Sequence, residues 1–155
     1  MADTVSPTTT QLPATLRVRA LPSPLELSKY SSPSTKAVTV DEENSRRRGD
    51  EMLLTPYDPF LGDSPYRQPG PIFVHLNPTC GAYKPDGALP EQLRRRLLSV
   101  RSFGKDHCMV DADVVQGDQL VGLAERMLRD GAAEYIHVHN ARPGCFAARI
   151  ERSGA

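Results

Sequence analysis

The chain has 155 residues, the length of one domain and short for two. Its 19 Lys and Arg are matched by 19 Asp and Glu, which argues against a protein that grips nucleic acid or an anionic membrane through bulk charge. Apolar residues at 39% are enough for a core, yet no run approaches the ~18 apolar residues of a membrane span, and no charged-then-apolar export signal opens the chain.

Met1 to Pro13 carries almost no large apolar group, so burial cannot offset the entropy of ordering it, and residues 1–13 read as a disordered tail. Residues 14–152 read as one domain. Thr15 to Leu21 alternates Leu16, Val18 and Ala20 against Arg17 and Arg19, the period of a half-buried strand. Pro24 to Tyr30 suits a short helix capped by Ser23, and residues 31–49 are polar and charged, a mobile surface segment. Glu51 to Thr55 reads as a short strand. It runs into TPYDPFLGDSPYRQPGP, whose prolines forbid regular structure, while Tyr57, Phe60, Leu61 and Tyr66 carry more aromatic and apolar area than a linker needs. This segment is expected to pack as a rigid flap against a sheet.

Ile72 to Leu76 is a strand bounded by Pro71 and Pro78. Pro90, Glu91 and then Leu93, Leu97 and Leu98 mark a short helix, followed by strands over Ser99 to Phe103 and Cys108 to Val115. Asp118 is a good N-cap for a second helix, with a Val121, Ala124, Leu128 stripe flanked by Leu120, Leu123 and Met127, ended by Gly131. Tyr135 to Asn140 and Cys145 to Glu151 close the chain as two strands around NARPG. The expected class is α+β, a mostly antiparallel sheet with two short helices and a C-terminal β-hairpin.

GDEMLLTPYDPF, SPYRQPGPIFVH and above all YIHVHNARPGCFAARIER resemble the domain-of-unknown-function family DUF1203, over roughly Leu16 to Arg152 and most strongly from Gly49 onward. The resemblance implies a small single-domain α+β protein and no particular substrate. Where members of that family usually carry an extra segment and a Pro-Cys-Arg stretch just before the GE-VLLL strand, this chain reads EENSRRRGDEMLL, shorter and without cysteine, so no role of that thiol carries over.

The hairpin holds the chemistry. If Asn140 to Gly144 form the loop, residue 139 faces 145, 137 faces 147 and 135 faces 149. Alternation then puts Tyr135, His137, His139, Cys145 and Arg149 on one face, with Ile136, Val138, Phe146, Ala148 and Ile150 on the other, toward the core. Directly opposed Cβ atoms lie about 4.5–5.5 Å apart, so His139 would reach the Cys145 thiol and raise its thiolate fraction. His139, Cys145 and Arg149 are the candidate catalytic residues. Arg149 suits a substrate carboxylate through a planar two-point contact, and Asn140 with the turn N–H groups suits an oxyanion. Tyr135, His137, Asn140, Arg142 and His75 are candidate substrate contacts, and Tyr57, Phe60 and Tyr66 are candidate walls of a pocket above them.

The leading expectation is an enzyme without a cofactor or bound metal, acting on a small organic molecule by isomerisation, cyclisation or hydrolysis. The alternatives are a non-catalytic binder of a ligand or partner, and a metal protein using His137-x-His139 with a third ligand from Cys145, Cys80 or His75. The arginine triplets 46–48 and 94–96 read as solvated faces. Three cysteines without CxxC spacing suit reduced thiols, hence a cytoplasmic location. Partners are a small-molecule substrate, no nucleic acid and no membrane. An open strand edge makes a homodimer the candidate assembly.

Overall fold

The computed structural model of the chain describes residues 11–19, 36–39, 51–75 and 88–154, with the backbone alone at 36–39, 51 and 75. The strands fall into two sheets, and every pairing is antiparallel. The larger sheet has the order β1-β8-β7-β5-β6, from Leu16–Arg19 (β1), Leu97–Phe103 (β5), Met109–Gln116 (β6), Tyr135–Asn140 (β7) and Phe146–Arg152 (β8). The smaller has the order β2-β3-β4, from Lys36–Thr39, Glu51–Tyr57 and Gly70–His75.

One face of the large sheet takes the helices. Leu120–Leu128 forms α2, whose Leu120, Val121, Leu123, Ala124, Met127 and Leu128 are all buried. They join Leu98, Val100, Ile136, Val138, Ala148 and Ile150 in one apolar cluster, along with Leu93 of the one-turn helix α1, Glu91–Arg94. Burying each large apolar side chain fully contributes roughly 1.5–3 kcal/mol, which makes this cluster the main source of stability. Arg152 closes the end of α2. Its Nε and Nη2 donate to the Leu128 carbonyl at 3.0 and 2.8 Å, and Nη2 also donates to Ala133 O at 2.6 Å. Carbonyls that the helix itself leaves unpaired are satisfied in this way.

Several local expectations are corrected. Gln11 bridges to Ala88 and Leu12 is buried in the core cluster, so the end of the expected tail is ordered; residues 1–10 lie outside the described residues. The expected helix over 24–30 also lies outside them. Lys36–Thr39, expected to be mobile, is strand β2, because its ladder partners Glu51–Leu54 offer pairing that a polar composition does not reveal. Asp118 does not cap α2. It sits within a 3-10 turn, Gly117–Gln119, and Gln119 precedes the helix without a side-chain cap. Gly117 has a steric reason to be glycine, since a Cβ there would collide with the backbone carbonyl of Leu93.

Candidate functional site

The second face of the large sheet is where the polar residues gather, and its register is set by one extra residue. Val138 pairs with Ala148 but His139 pairs with Phe146, so Ala147 is bulged out of the ladder. The turn feeding the bulge is pinned by Gly144 N–H donating to Asn140 O at 2.8 Å and Asn140 N–H donating to Cys145 O at 2.9 Å. Gly144 takes φ +80°, which glycine adopts at little cost.

The bulge corrects the expected pairing. His137 faces Arg149, His139 faces Phe146 and Tyr135 faces Glu151. Phe146, expected on the core side, instead lies on the histidine face, its ring 5.3 Å from His137 and 5.7 Å from His139. Cys145 turns to the other side. Its Sγ accepts a hydrogen bond from Asn140 Nδ2 at 3.0 Å, and Asn140 Oδ1 accepts from Arg96 Nη1 at 3.1 Å. Asn140 follows His139 directly in β7 and so points to the opposite face. The expected His139–Cys145 pair is therefore not formed, and Asn140 is a structural partner of the thiol.

His137 is the centre of the polar face. It is fully buried, and rings of Phe60, Phe103, Tyr135 and Phe146 surround it at centroid distances of 4.9, 4.9, 5.2 and 5.3 Å. Neither of its ring nitrogens has a hydrogen-bond partner among the described residues, and the same holds for Nε of Arg149 across the ladder. Burial, reinforced by the nearby positive groups His139, Arg149 and Arg101, pushes the His137 pKa from 6.5 down to about 3. The ring is thus a neutral imidazole with one donor and one acceptor unmade.

His139, next on the same face, is half-buried and differently held. Its Nδ1 lies 2.9 Å from Gly144 O, and a carbonyl can only accept, so Nδ1 carries the proton and Nε2 the lone pair. Burial lowers its pKa, against the Gly144 carbonyl that favours the charged form. Above the ordinary histidine range it is a free base with Nε2 as its basic atom.

Positive charge lines the rest of this face. Arg101 pairs with His137 from β5, and the register sets Arg17 opposite Glu151 and Arg19 opposite Arg149. Glu151 is the shared counter-charge, accepting from Arg19 Nε and lying 3.5 Å from Arg149 Nε. At the Tyr135 end, His107 holds the tyrosine hydroxyl at 2.8 Å from Nδ1, and it does so from a turn with φ +61°.

The Pro-rich connection between β3 and β4 covers the face, as expected of a flap. Phe60 packs edge-on against both Phe103 and His137, Tyr66 reaches Phe103 at 6.1 Å, and Tyr57 meets Phe146 at 5.7 Å. Asp58 stiffens it by accepting from Phe60 N–H at 3.0 Å and from Arg67 Nε at 2.7 Å.

The structure thus brings together Tyr135, His137, His139, Arg149, Tyr57, Phe60 and Tyr66. Cys145 and Asn140 fall on the opposite face, Arg142 is exposed in the turn, and the side chain of His75 lies outside the described residues, as does Cys80. Arg96, expected on a solvated face, reaches inward to Asn140. Sequence reasoning passed over Arg101, Phe103, His107, Phe146 and Glu151. The alternation Ser99, Arg101, Phe103 in β5 was the available signal, since it repeats the period of β7. Among the described residues no three of His, Cys, Asp and Glu converge as a metal site needs, and no helix is long and apolar enough to cross a membrane.

No curated protein and no solved structure matches the chain. The model of the family described as a protein of unknown function, DUF1203, matches residues 44–152, beginning after β2 and ending with the last residue of β8. The chain therefore belongs to the DUF1203 family.

Proposed function

We propose that the chain is an enzyme that uses no organic cofactor and acts on a small organic molecule by proton transfer at His139, in an isomerisation, cyclisation or hydrolysis. The observation that carries this reading is the Nδ1–H to Gly144 O bond, which directs the lone pair of His139 to Nε2 on a face walled by aromatic rings. A general base works best when it is unprotonated at the operating pH and held by a second group, and His139 meets both conditions. In the reaction, Nε2 takes a proton from the substrate or from a water. The Gly144 carbonyl steadies the imidazolium, and the proton returns to another substrate atom or to a leaving group. Tyr57, Phe60, Tyr66 and Phe146 supply aromatic walls of the kind that line ligand sites.

Cys145 has no part in this scheme, because its thiol is engaged by Asn140 on the far side of the sheet. The reading includes a cytoplasmic location, to which the free thiols Cys108 and Cys145 are suited.

Diethyl pyrocarbonate tests the base without knowledge of the substrate. It transfers an ethoxycarbonyl group to an unprotonated imidazole nitrogen, with release of ethanol and carbon dioxide. Peptide mapping of the folded chain is expected to show His139 modified, with the rate half-maximal below pH 6.5, and His137 protected. Failure to modify His139, or a midpoint at or above pH 6.5, contradicts the proposal.

A further inference from the structure

We infer that Arg149 and His137 form a carboxylate-binding subsite within this face, so that the molecule it takes is a small organic acid. The inference rests on reading the face as a small-molecule site and does not require His139 to move a proton.

Three buried polar atoms in one place make no hydrogen bond among the described residues: Nδ1 and Nε2 of His137, and Nε of Arg149, whose contact with the Glu151 carboxylate at 3.5 Å is an ion pair without a hydrogen bond. The two side chains are direct cross-strand partners, where Cβ atoms lie about 4.5–5.5 Å apart. Buried polar groups in native proteins are almost always hydrogen-bonded, so three together mark a place built for a polar group from outside the sheet. His137 and Arg149 are both hydrogen-bond donors on the same face of the sheet. The Nε edge of a guanidinium forms a two-pronged fork matched to the two oxygens of a carboxylate, and the neutral imidazole adds one N–H.

Charge agrees with an anion. Arg17, Arg19, Arg101 and Arg149 share this face, and Glu151 is the carboxylate that the register sets among them. Asp58 of the flap is already engaged by Arg67. The surroundings favour a carboxylate over a phosphate. Phosphate sites are usually made from helix N-termini and glycine-rich nests of backbone N–H groups. Here α1 and α2 both pack on the opposite face, and the walls are the rings of Phe60, Phe103 and Phe146.

The test is an NMR titration of the full-length, uniformly 15N-labelled chain with benzoate, acetate and inorganic phosphate, each against sodium chloride at equal ionic strength. Benzoate is expected to shift the His137 ring and Arg149 Nε–H signals saturably, and to bind at least about 10-fold more tightly than phosphate. Arg149→Lys keeps the charge and removes the fork, and is expected to weaken benzoate about 10-fold or more, the usual scale for one charge-assisted hydrogen bond. The titration reads carboxylate binding alone and the ethoxycarbonylation of His139 reads the base alone, which separates this subsite from the proton-transfer reading. No saturable carboxylate shift at His137 and Arg149 in the unaltered chain overturns the inference. So does phosphate binding as tightly as benzoate, or a folded Arg149→Lys chain that binds benzoate unchanged.

Discussion

Replacing His137 with Phe measures directly what burial does to this imidazole. Phe keeps an aromatic ring between Phe60 and Phe146 and removes two unpartnered nitrogens. Each unmade hydrogen bond costs roughly 1–3 kcal/mol, and the larger ring costs roughly 1–3 kcal/mol in overpacking, so at pH 8 the variant is expected to be as stable as the parent or about 2 kcal/mol more stable. The pH dependence is the sharper quantity. The folded pKa is depressed from 6.5 to about 3, so the stability tied to the neutral ring is complete above pH 6.5. It is lost as pH falls toward 3, because the unfolded chain takes up a proton that the folded chain refuses. The slope is at most ~1.4 kcal/mol per pH unit, which gives a loss on the order of 3 kcal/mol from His137 by pH 4.5. His139 contributes to parent and variant alike and cancels. Urea unfolding followed by far-UV circular dichroism, in carboxylate-free buffer at pH 8 and pH 4.5, should show the variant's advantage grow by roughly 3 kcal/mol between the two conditions. Parallel losses in the two chains would refute the view that burial holds His137 neutral.

Gly117→Ala drives a Cβ into the backbone of Leu93 and is expected to cost about 3 kcal/mol or to prevent folding, read from the urea midpoint. Arg152→Met strips the Leu128 carbonyl at the end of α2 and the Ala133 carbonyl beyond it of their Arg152 donor and should cost about 2 kcal/mol by the same assay. Cys145, buried and bonded to Asn140, is expected to alkylate at least about 10-fold more slowly in the folded chain than in urea, with the same rate in His139→Ala. Faster alkylation in the native chain, or a rate that depends on His139, would restore the thiol to the site.

Much of this arrangement is legible in the residues. Strand β7 runs from Tyr135 to Asn140 as its alternation suggests, and the α2 stripe is buried as its period suggests, because long-range packing there agrees with local pattern. The aromatic flap is legible for a similar reason, since Pro59, Pro65 and Pro69 break regular structure and aromatic area demands burial, although Pro56 and Pro71, expected in the same irregular segment, pair with each other within β3 and β4. The hairpin register is not. A single residue, Ala147, decides it, and whether the chain bulges depends on the turn at Gly144 and on whether the Phe146 ring packs on the histidines or in the core. Both choices keep the apolar pattern Ile136, Val138, Ala148, Ile150 intact, so the pattern cannot distinguish them. The consequence is chemical: one slipped residue exchanges Cys145 for Phe146 beside His139. Arg101 and Glu151 escaped notice because their neighbours are set by β5 and β1 pairing with the hairpin, across separations in sequence that no local period reports.

The central claim is that His139 presents an unprotonated Nε2 to a ligand face. Long-range 15N–1H correlation of the histidine rings at pH 7, in the full chain, tests it most directly. The account predicts that His139 is the Nδ1–H tautomer, neutral, with a pyridine-like Nε2. An imidazolium at that pH, or a ring protonated at Nε2 and bare at Nδ1, would contradict it.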